Sequence, residues 1–451
     1  MNRPSARNKT RQAPLPRNIY RRTPLPGRSR YQPQPDVTCG IKSKCGACKY
    51  VNLDYLASLA DKRQAGEQIL ADAGVLAGAK LLAPEASPRP LGYRSVFKLA
   101  VRPARHDAVA HRFPSESPEA PAPRFAIGLF AAGSHDVVNM DECPLHTPPL
   151  HALLADLRRE LEASPLTPYD ETNQTGTIRY IAARAAHLTA EVMLTFVVTS
   201  PHKAELRTIV TNLQRRGHNI NSAHMNLNSE SGNAIFGAET IRLAGTDRLR
   251  ERLCDLDFEV GPTAFFQVNP WQAINLYRRI EAIAGATKGL SSKGAPAPAP
   301  VAWDLYCGTG QISLLLARAG YRVLGIEENP HAVNDARANA RKNHLSDNAT
   351  FLAARVEDSQ PLLPSWSQSP ELIVANPSRR GLAEETRRHL AILLAANPTA
   401  RFLYVSCDVT TLARDLRALA DLCAFQVRQI EPFDMFPQTD NMEWLAVMSR
   451  G

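Results

Sequence analysis

A cysteine at the end of an apolar run is the first feature of this chain suited to covalent chemistry. Cys407 closes the segment Tyr404-Val-Ser-Cys407 and precedes Asp-Val-Thr-Thr411, so it is expected on a turn from strand to helix. Such a turn exposes a thiol, and a helix N-terminus lowers its pKa toward thiolate. Core packing is the ordinary reading of a lone cysteine, and it is kept for Cys254, Cys307 and Cys423. A carboxylate, Glu443, stands just before the apolar run Trp444–Met448. Held there by buried neighbours, it is a candidate general base. A surface acid on a hairpin is the plain alternative.

Two further motifs provide for a ligand. Asp304-Leu-Tyr-Cys-Gly308-Thr-Gly310 follows an apolar run and precedes a helical one, and Glu327 ends the next apolar run, 19 residues after Gly308. Glycines in such a turn admit close approach of a ligand, and the acid can take both hydroxyls of a ribose. The third glycine of a dinucleotide fingerprint is replaced by Ser313, which favours an adenosine-type ligand over NAD. In Ala375-Asn376-Pro377-Ser378-Arg379-Arg380-Gly381, Asn376 can hydrogen-bond the ligand and the two arginines can meet phosphate. A set of thiols stands apart from these: Cys39, Cys45 and Cys48, with Cys143 about a hundred residues on. Four thiolates suit either zinc or an iron–sulfur cluster, and spacing alone does not choose between them. The triplet lacks the Cys-x3-Cys-x2-Cys spacing of radical enzymes.

The elements needed to position these groups are legible as pattern. Val301–Tyr306, Arg322–Ile326, Glu371–Ala375 and Arg401–Ser406 read as strands, alternating with helical stretches that include His331–Asn343 and Glu384–Ala396. That alternation predicts a parallel, doubly wound α/β sheet, with ligands outside the carboxyl ends of the strands. Ahead of it, a helical stretch over Leu53–Ala79 and strands at Tyr93–Pro103, Phe125–Phe130 and Ala190–Val198 predict an α+β body. Three domains are therefore expected: a tail over 1–35, an α+β domain over 36–258, and a ligand-binding domain over 259–451. The Gly/Ser/Pro/Ala-rich stretch 287–300 reads as a flexible linker, and 114–123 as a loop insertion.

Charge sharpens the picture. The formal net charge is +9, and residues 1–35 hold nine Lys or Arg, no Asp or Glu and seven prolines. The remainder sums to zero, so the basicity belongs to a tail expected to be disordered and suited to phosphate backbones. No apolar run is long enough to span a membrane, and no basic stub leads into an apolar segment, so a cytoplasmic chain without membrane attachment is expected. Eight cysteines in 451 residues are too few for a disulfide scaffold.

Taken in order, Pro262-Thr-Ala-Phe-Phe-Gln267-Val-Asn-Pro270, Asp304–Gly310, Asn376–Gly381, Val405-Ser-Cys407 and Asp434-Met-Phe-Pro437 resemble the RNA uracil-5 methyltransferase family, over roughly residues 39–449. The resemblance implies a C-terminal Rossmann-like methyltransferase domain behind an iron–sulfur domain. It implies S-adenosylmethionine held by Gln267, Tyr306, Glu327 and Asn376, and a [4Fe-4S] cluster held by Cys39, Cys45, Cys48 and Cys143. It makes Cys407 the nucleophile and Glu443 the base, acting on RNA. Asn-Pro-Ser-Arg-Arg-Gly, and the lack of a small β-barrel module ahead of the cysteines, look like the branch that modifies uracil-747 of 23S rRNA. A tRNA uridine-54 methyltransferase is the nearest alternative, and a metal-bound, non-catalytic RNA-binding or ribosome-assembly factor is a different class. Intact Gly308-x-Gly310 and Cys407 favour the enzyme, and a monomer is expected. One departure stands out: the family's Pro-His-Thr-x-His-x-Glu reads Pro437-Gln-Thr-Asp-Asn-Met-Glu443 here, without either histidine.

Overall fold

The computed structural model describes residues 39–104, 123–285, 299–358 and 369–451. The basic tail, most of the 114–123 insertion and most of the 287–300 linker lie outside the described residues. Two large sheets organise the rest.

The first sheet has eight strands in the order Lys80–Leu81, Phe425–Phe433, Glu443–Arg450, Arg401–Ser406, Leu372–Ala375, Val301–Leu305, Arg322–Glu327 and Ala349–Ala353. The last five run parallel, and Glu443–Arg450 is antiparallel to both its neighbours. Strands Val301–Leu305 and Leu372–Ala375 are buried throughout because helices cover both faces, which is why the second reads as an unbroken apolar run and the first is interrupted only by Asp304. Chain order reverses direction between these two strands. That makes a topological switch point, where a crevice opens outside the carboxyl ends. Tyr306 and Asn376, the first residues beyond the two strands, stand at its lip.

The second sheet has seven strands, with Val96–Pro103 and Ile178–Ala185 near its centre. Helices Pro148–Glu162 and Lys203–Arg215 lie on it through Leu150, Leu153, Leu157, Leu206, Ile209 and Leu213, all buried in one core. The hairpin Leu249–Leu253/Leu256–Val260 follows it. Its turn, Cys254-Asp255, has φ of 49° and 63° at both positions, as a tight two-residue hairpin requires. Leu253, Leu256 and Phe258 then enter the core of the first sheet. Helix Tyr55–Asp72 also crosses over: Leu59 and Leu70 pack among Trp303, Tyr404 and Trp444 of the first sheet. The helix that follows the cysteine triplet is thus in direct contact with the first sheet. Among the described residues, no helix is long and apolar enough to cross a membrane.

Candidate active site

The ligand turn is built on a left-handed backbone. Tyr306 has φ 62° and Gly310 φ 88°, the latter as N-cap of helix Gln311–Arg318. A Cβ on Gly310 would stand 3.2 Å from both Ala336 Cβ and Phe351 Cζ, so space as well as conformation requires glycine there. Tyr306 lacks that freedom, and a non-glycine residue held in this region is characteristic of functional turns. Its hydroxyl donates to Glu357 Oε1 at 3.4 Å. Glu327 faces the turn: Oε2 accepts from the Gly308 N–H at 3.1 Å, and Oε1 from the Asn329 N–H at 2.9 Å. Beneath lies Asp304, whose Oδ2 accepts from Ser313 Oγ at 2.6 Å while Oδ1 is buried with no partner. Burial pushes the Asp304 carboxyl up to about 7. Asn376 is tied to this turn by its backbone, its N–H donating to Leu305 O at 3.3 Å. Gln267 is buried.

Cys407 follows strand Arg401–Ser406 directly, and Asp408 caps the next helix, accepting from the Thr411 N–H at 2.9 Å. Ser406 pairs with Trp444 across the sheet, so the next residues outward, Cys407 and Glu443, lie opposite one another at the carboxyl edge. Glu443 is buried, 3% exposed, which removes the reading of a surface hairpin acid. Arg379 completes the group from the loop after strand Leu372–Ala375. Its guanidinium charge acts on both the Cys407 thiol and the Glu443 carboxyl, pulling each downward. Sequence reasoning offered Arg379 and Arg380 to phosphate; both are exposed, and the fold sets the charge of Arg379 near the thiol and the acid.

The electrostatics differ from the expectation of a lowered thiol. Burial first, and then the Glu443 charge, push Cys407 up to about 11, against the pull of Arg379. Burial likewise pushes Glu443 up to about 8. Both groups are therefore protonated at rest near neutrality, and Arg379 is the cation that favours either anion. The other cysteines behave as packing: Cys254 and Cys307 are buried in the core, and Cys423 donates to Leu419 O at 3.2 Å within its helix.

Cys39, Cys45, Cys48 and Cys143 line one cavity of about 300 Å³, beside Arg94, Lys98 and Arg184. Burial, reinforced by the other three thiols, pushes Cys48 up to about 12. Among the described residues, no group of three or more His, Cys, Asp or Glu side chains is arranged to hold a metal ion as it stands. The donor set itself, four soft thiols facing one cavity with a cationic wall, fits an anionic thiolate-held centre.

The segment before Glu443 is ordered without the family's histidines. Gln438, at the first of those places, is buried and donates to Pro90 O at 3.4 Å.

The chain is similar to known methyltransferases. The profile of a methyltransferase domain matches residues 300–441. An RNA methyltransferase of Thermosynechococcus vestitus is 33% identical over 411 residues, 91% of this chain and 83% of that protein. One from Gloeobacter violaceus is 34% identical over 418 residues, 92% of this chain and 83% of that protein. In fold, the chain is similar to the Pyrococcus abyssi tRNA (uracil-54, C5)-methyltransferase solved with S-adenosyl-L-homocysteine. The TM-score is 0.66 and the identity 24%, covering 89% of this chain and 85% of that one. With a third of its residues shared with such relatives over about nine tenths of its length, this chain belongs to the RNA methyltransferase family.

Proposed function

We propose that this enzyme methylates C5 of a uridine in RNA, with Cys407 as nucleophile and Glu443 as base. The observation that carries the reading is the convergence of Cys407, Arg379 and Glu443 on the sheet edge that also carries Tyr306, Glu327 and Asn376. Uracil C5 is a weak nucleophile, and addition of a thiolate at C6 turns the ring into an enolate whose C5 can attack an electrophilic methyl. S-adenosylmethionine supplies that sulfonium methyl, and Gln267, Tyr306, Glu327 and Asn376 are the residues to hold it. Cys407 gives its proton to water and adds to C6 as the thiolate, which Arg379 stabilises. Glu443, having released its own proton to water, then accepts the proton of C5, and the electrons left behind reform the C5–C6 double bond and expel Cys407 as thiolate. Such chemistry needs the uridine lifted out of its stack into the crevice.

We further assign the target to 23S rRNA, on the Asn-Pro-Ser-Arg-Arg-Gly pattern. A tRNA target is the second reading, favoured by the activity named for the Pyrococcus abyssi protein of similar fold. A monomer in the cytoplasm is proposed with it. Cys39, Cys45, Cys48 and Cys143 would hold a [4Fe-4S] cluster of structural role, since their cavity is separate from the reacting groups.

The test is Cys407→Ala assayed on rRNA and tRNA with a methyl-tritiated donor. Wild type is expected to label rRNA, Glu443→Gln to retain a denaturant-stable protein–RNA complex, and Cys407→Ala to give neither. Formation of 5-methyluridine by Cys407→Ala would end the covalent mechanism, and labelling of tRNA alone would select the second reading.

A further inference from the structure

One buried ion pair takes no part in the chemistry above. Lys62, on helix Tyr55–Asp72, is 4% exposed, and its partner Asp434 is fully buried. The ammonium has three protons, and all are used. It donates to Asp434 Oδ1 at 2.7 Å, to Phe436 O at 3.0 Å and to Asn441 O at 3.1 Å. These acceptors lie at both ends of the 434–442 loop, which joins strand Phe425–Phe433 to the strand that begins on Glu443. One cation therefore gathers the loop immediately before the base.

That loop depends on outside groups for its shape. Tyr93 Oη donates to Pro437 O at 3.0 Å, the Tyr50 N–H to Gln438 O at 2.9 Å, and Asn269 Nδ2 to Met435 O at 3.2 Å. Asn269 belongs to the same segment as Gln267. A second contact follows one helical turn after Lys62, on the same helix face. A Cβ on Gly66 would fall 2.2 Å from Trp444 Cζ2, so only glycine admits the indole of the residue next to Glu443. The helix thus grips the corner on both sides of the base: Lys62 holds the loop before it, and Gly66 seats the ring after it.

We infer that Lys62 and Gly66 form a brace that positions Glu443 to take the C5 proton. Lys62 touches no reacting atom and acts through the loop, as a positioning residue. The inference rests on Glu443 being the base. It predicts a selective defect: loosening the brace slows proton removal while leaving attack by Cys407 and methyl addition intact. A residue that merely stabilises the fold would slow all steps together or lower the active fraction.

The experiment uses full-length wild type, Lys62→Met, Lys62→Arg, Gly66→Ala and Glu443→Gln in single turnover. The substrate is an rRNA transcript that wild type methylates, carrying tritium at uridine C5, with a carbon-14-methyl donor. Carbon-14 on RNA reads methyl addition, tritium in water reads proton removal, and a denaturing gel reads the covalent complex. Lys62→Met is expected to add methyl at the wild-type rate, release tritium at least about 10-fold more slowly and accumulate the complex. Lys62→Arg is expected to recover part of the release rate. Gly66→Ala, which keeps the buried charge paired, is expected to show the same split and serves where Lys62→Met does not fold. Equal slowing of both isotopes in the folded variants, or tritium release at the wild-type rate, overturns the brace. Glu443→Gln separates the two readings. If it accumulates the complex and the brace variants do not, only the brace falls. If Glu443→Gln releases tritium normally, the base assignment falls first.

Discussion

Replacing Glu443 with glutamine keeps the side chain's shape and removes its charge, so its effects on stability and on turnover should run in opposite directions. Burial moves this carboxyl from 4.5 to about 8, with Arg379 pulling it partly back. In the unfolded chain the group ionises near its ordinary value. Between those two pH values the folded protein holds a proton that the unfolded chain has released. Stability therefore falls as pH rises through the window, and above the folded value, with both states ionised, the loss is complete. One pKa unit corresponds to about 1.4 kcal/mol, so wild type forgoes about 3 kcal/mol at pH 7 and under about 1 kcal/mol at pH 5. The neutral amide of the variant does not titrate and shows no such dependence. The stability of Glu443→Gln relative to wild type should grow by about 2 kcal/mol between pH 5 and pH 7. Thermal unfolding followed by near-ultraviolet circular dichroism at several pH values measures it, and a rise of a few degrees in the difference between midpoints is expected. The slope with pH is diagnostic, since any constant offset also includes the lost contact with Arg379. A difference that stays flat or shrinks as pH rises would refute the buried, proton-holding acid. The same variant should be inactive in turnover and should retain methylated RNA on Cys407, because attack and methyl addition do not need the carboxylate.

Gly310→Ala should weaken donor binding, since its Cβ would press within 3.2 Å of Ala336 and Phe351 at a φ of 88°. Calorimetry with S-adenosylhomocysteine is expected to show about a 10-fold loss of affinity, on the order of 1.4 kcal/mol, and unchanged affinity would remove the turn from the site. Protein purified without oxygen should be brown, with about four iron and four sulfide per chain, if the Cys39–Cys143 cavity holds the proposed cluster. Colourless protein with one zinc would replace the cluster with a zinc site.

Much of the ligand-binding half was readable because its determinants are local or periodic. Strands covered on both faces must be largely apolar, so Arg401–Ser406 stands out at its observed limits through Phe402–Val405, and Val301–Leu305 and Leu372–Ala375 within a residue of theirs. The turn at Gly308 and Gly310 is likewise local, because backbone conformation and close approach select glycine whatever lies elsewhere in the chain. Strand Phe425–Phe433 went unread. It alternates at the sheet's far side, with exposed Gln426 and Arg428 breaking the apolar run.

Sequence by itself determined which groups are present: a cysteine and an acid next to apolar runs, a glycine turn with an acid 19 residues on, three clustered thiols with a fourth about a hundred residues later, and a basic tail on a neutral body. Tertiary structure alone decided what those groups become. Glu443 reads as a surface acid because its neighbours Asp440 and Asn441 are polar; it is buried at the start of a strand held between Phe425–Phe433 and Arg401–Ser406. Arg379 reads as a phosphate ligand, and only the pairing of Leu372–Ala375 with Arg401–Ser406 carries it to Cys407. The Cys407 thiol was expected low because a helix start follows it, yet it is raised to about 11, since desolvation and a facing carboxylate outweigh one arginine. Residue types and turns follow from the chain's own local sterics, whereas burial and charge proximity are sums over neighbours that come together only when the chain folds.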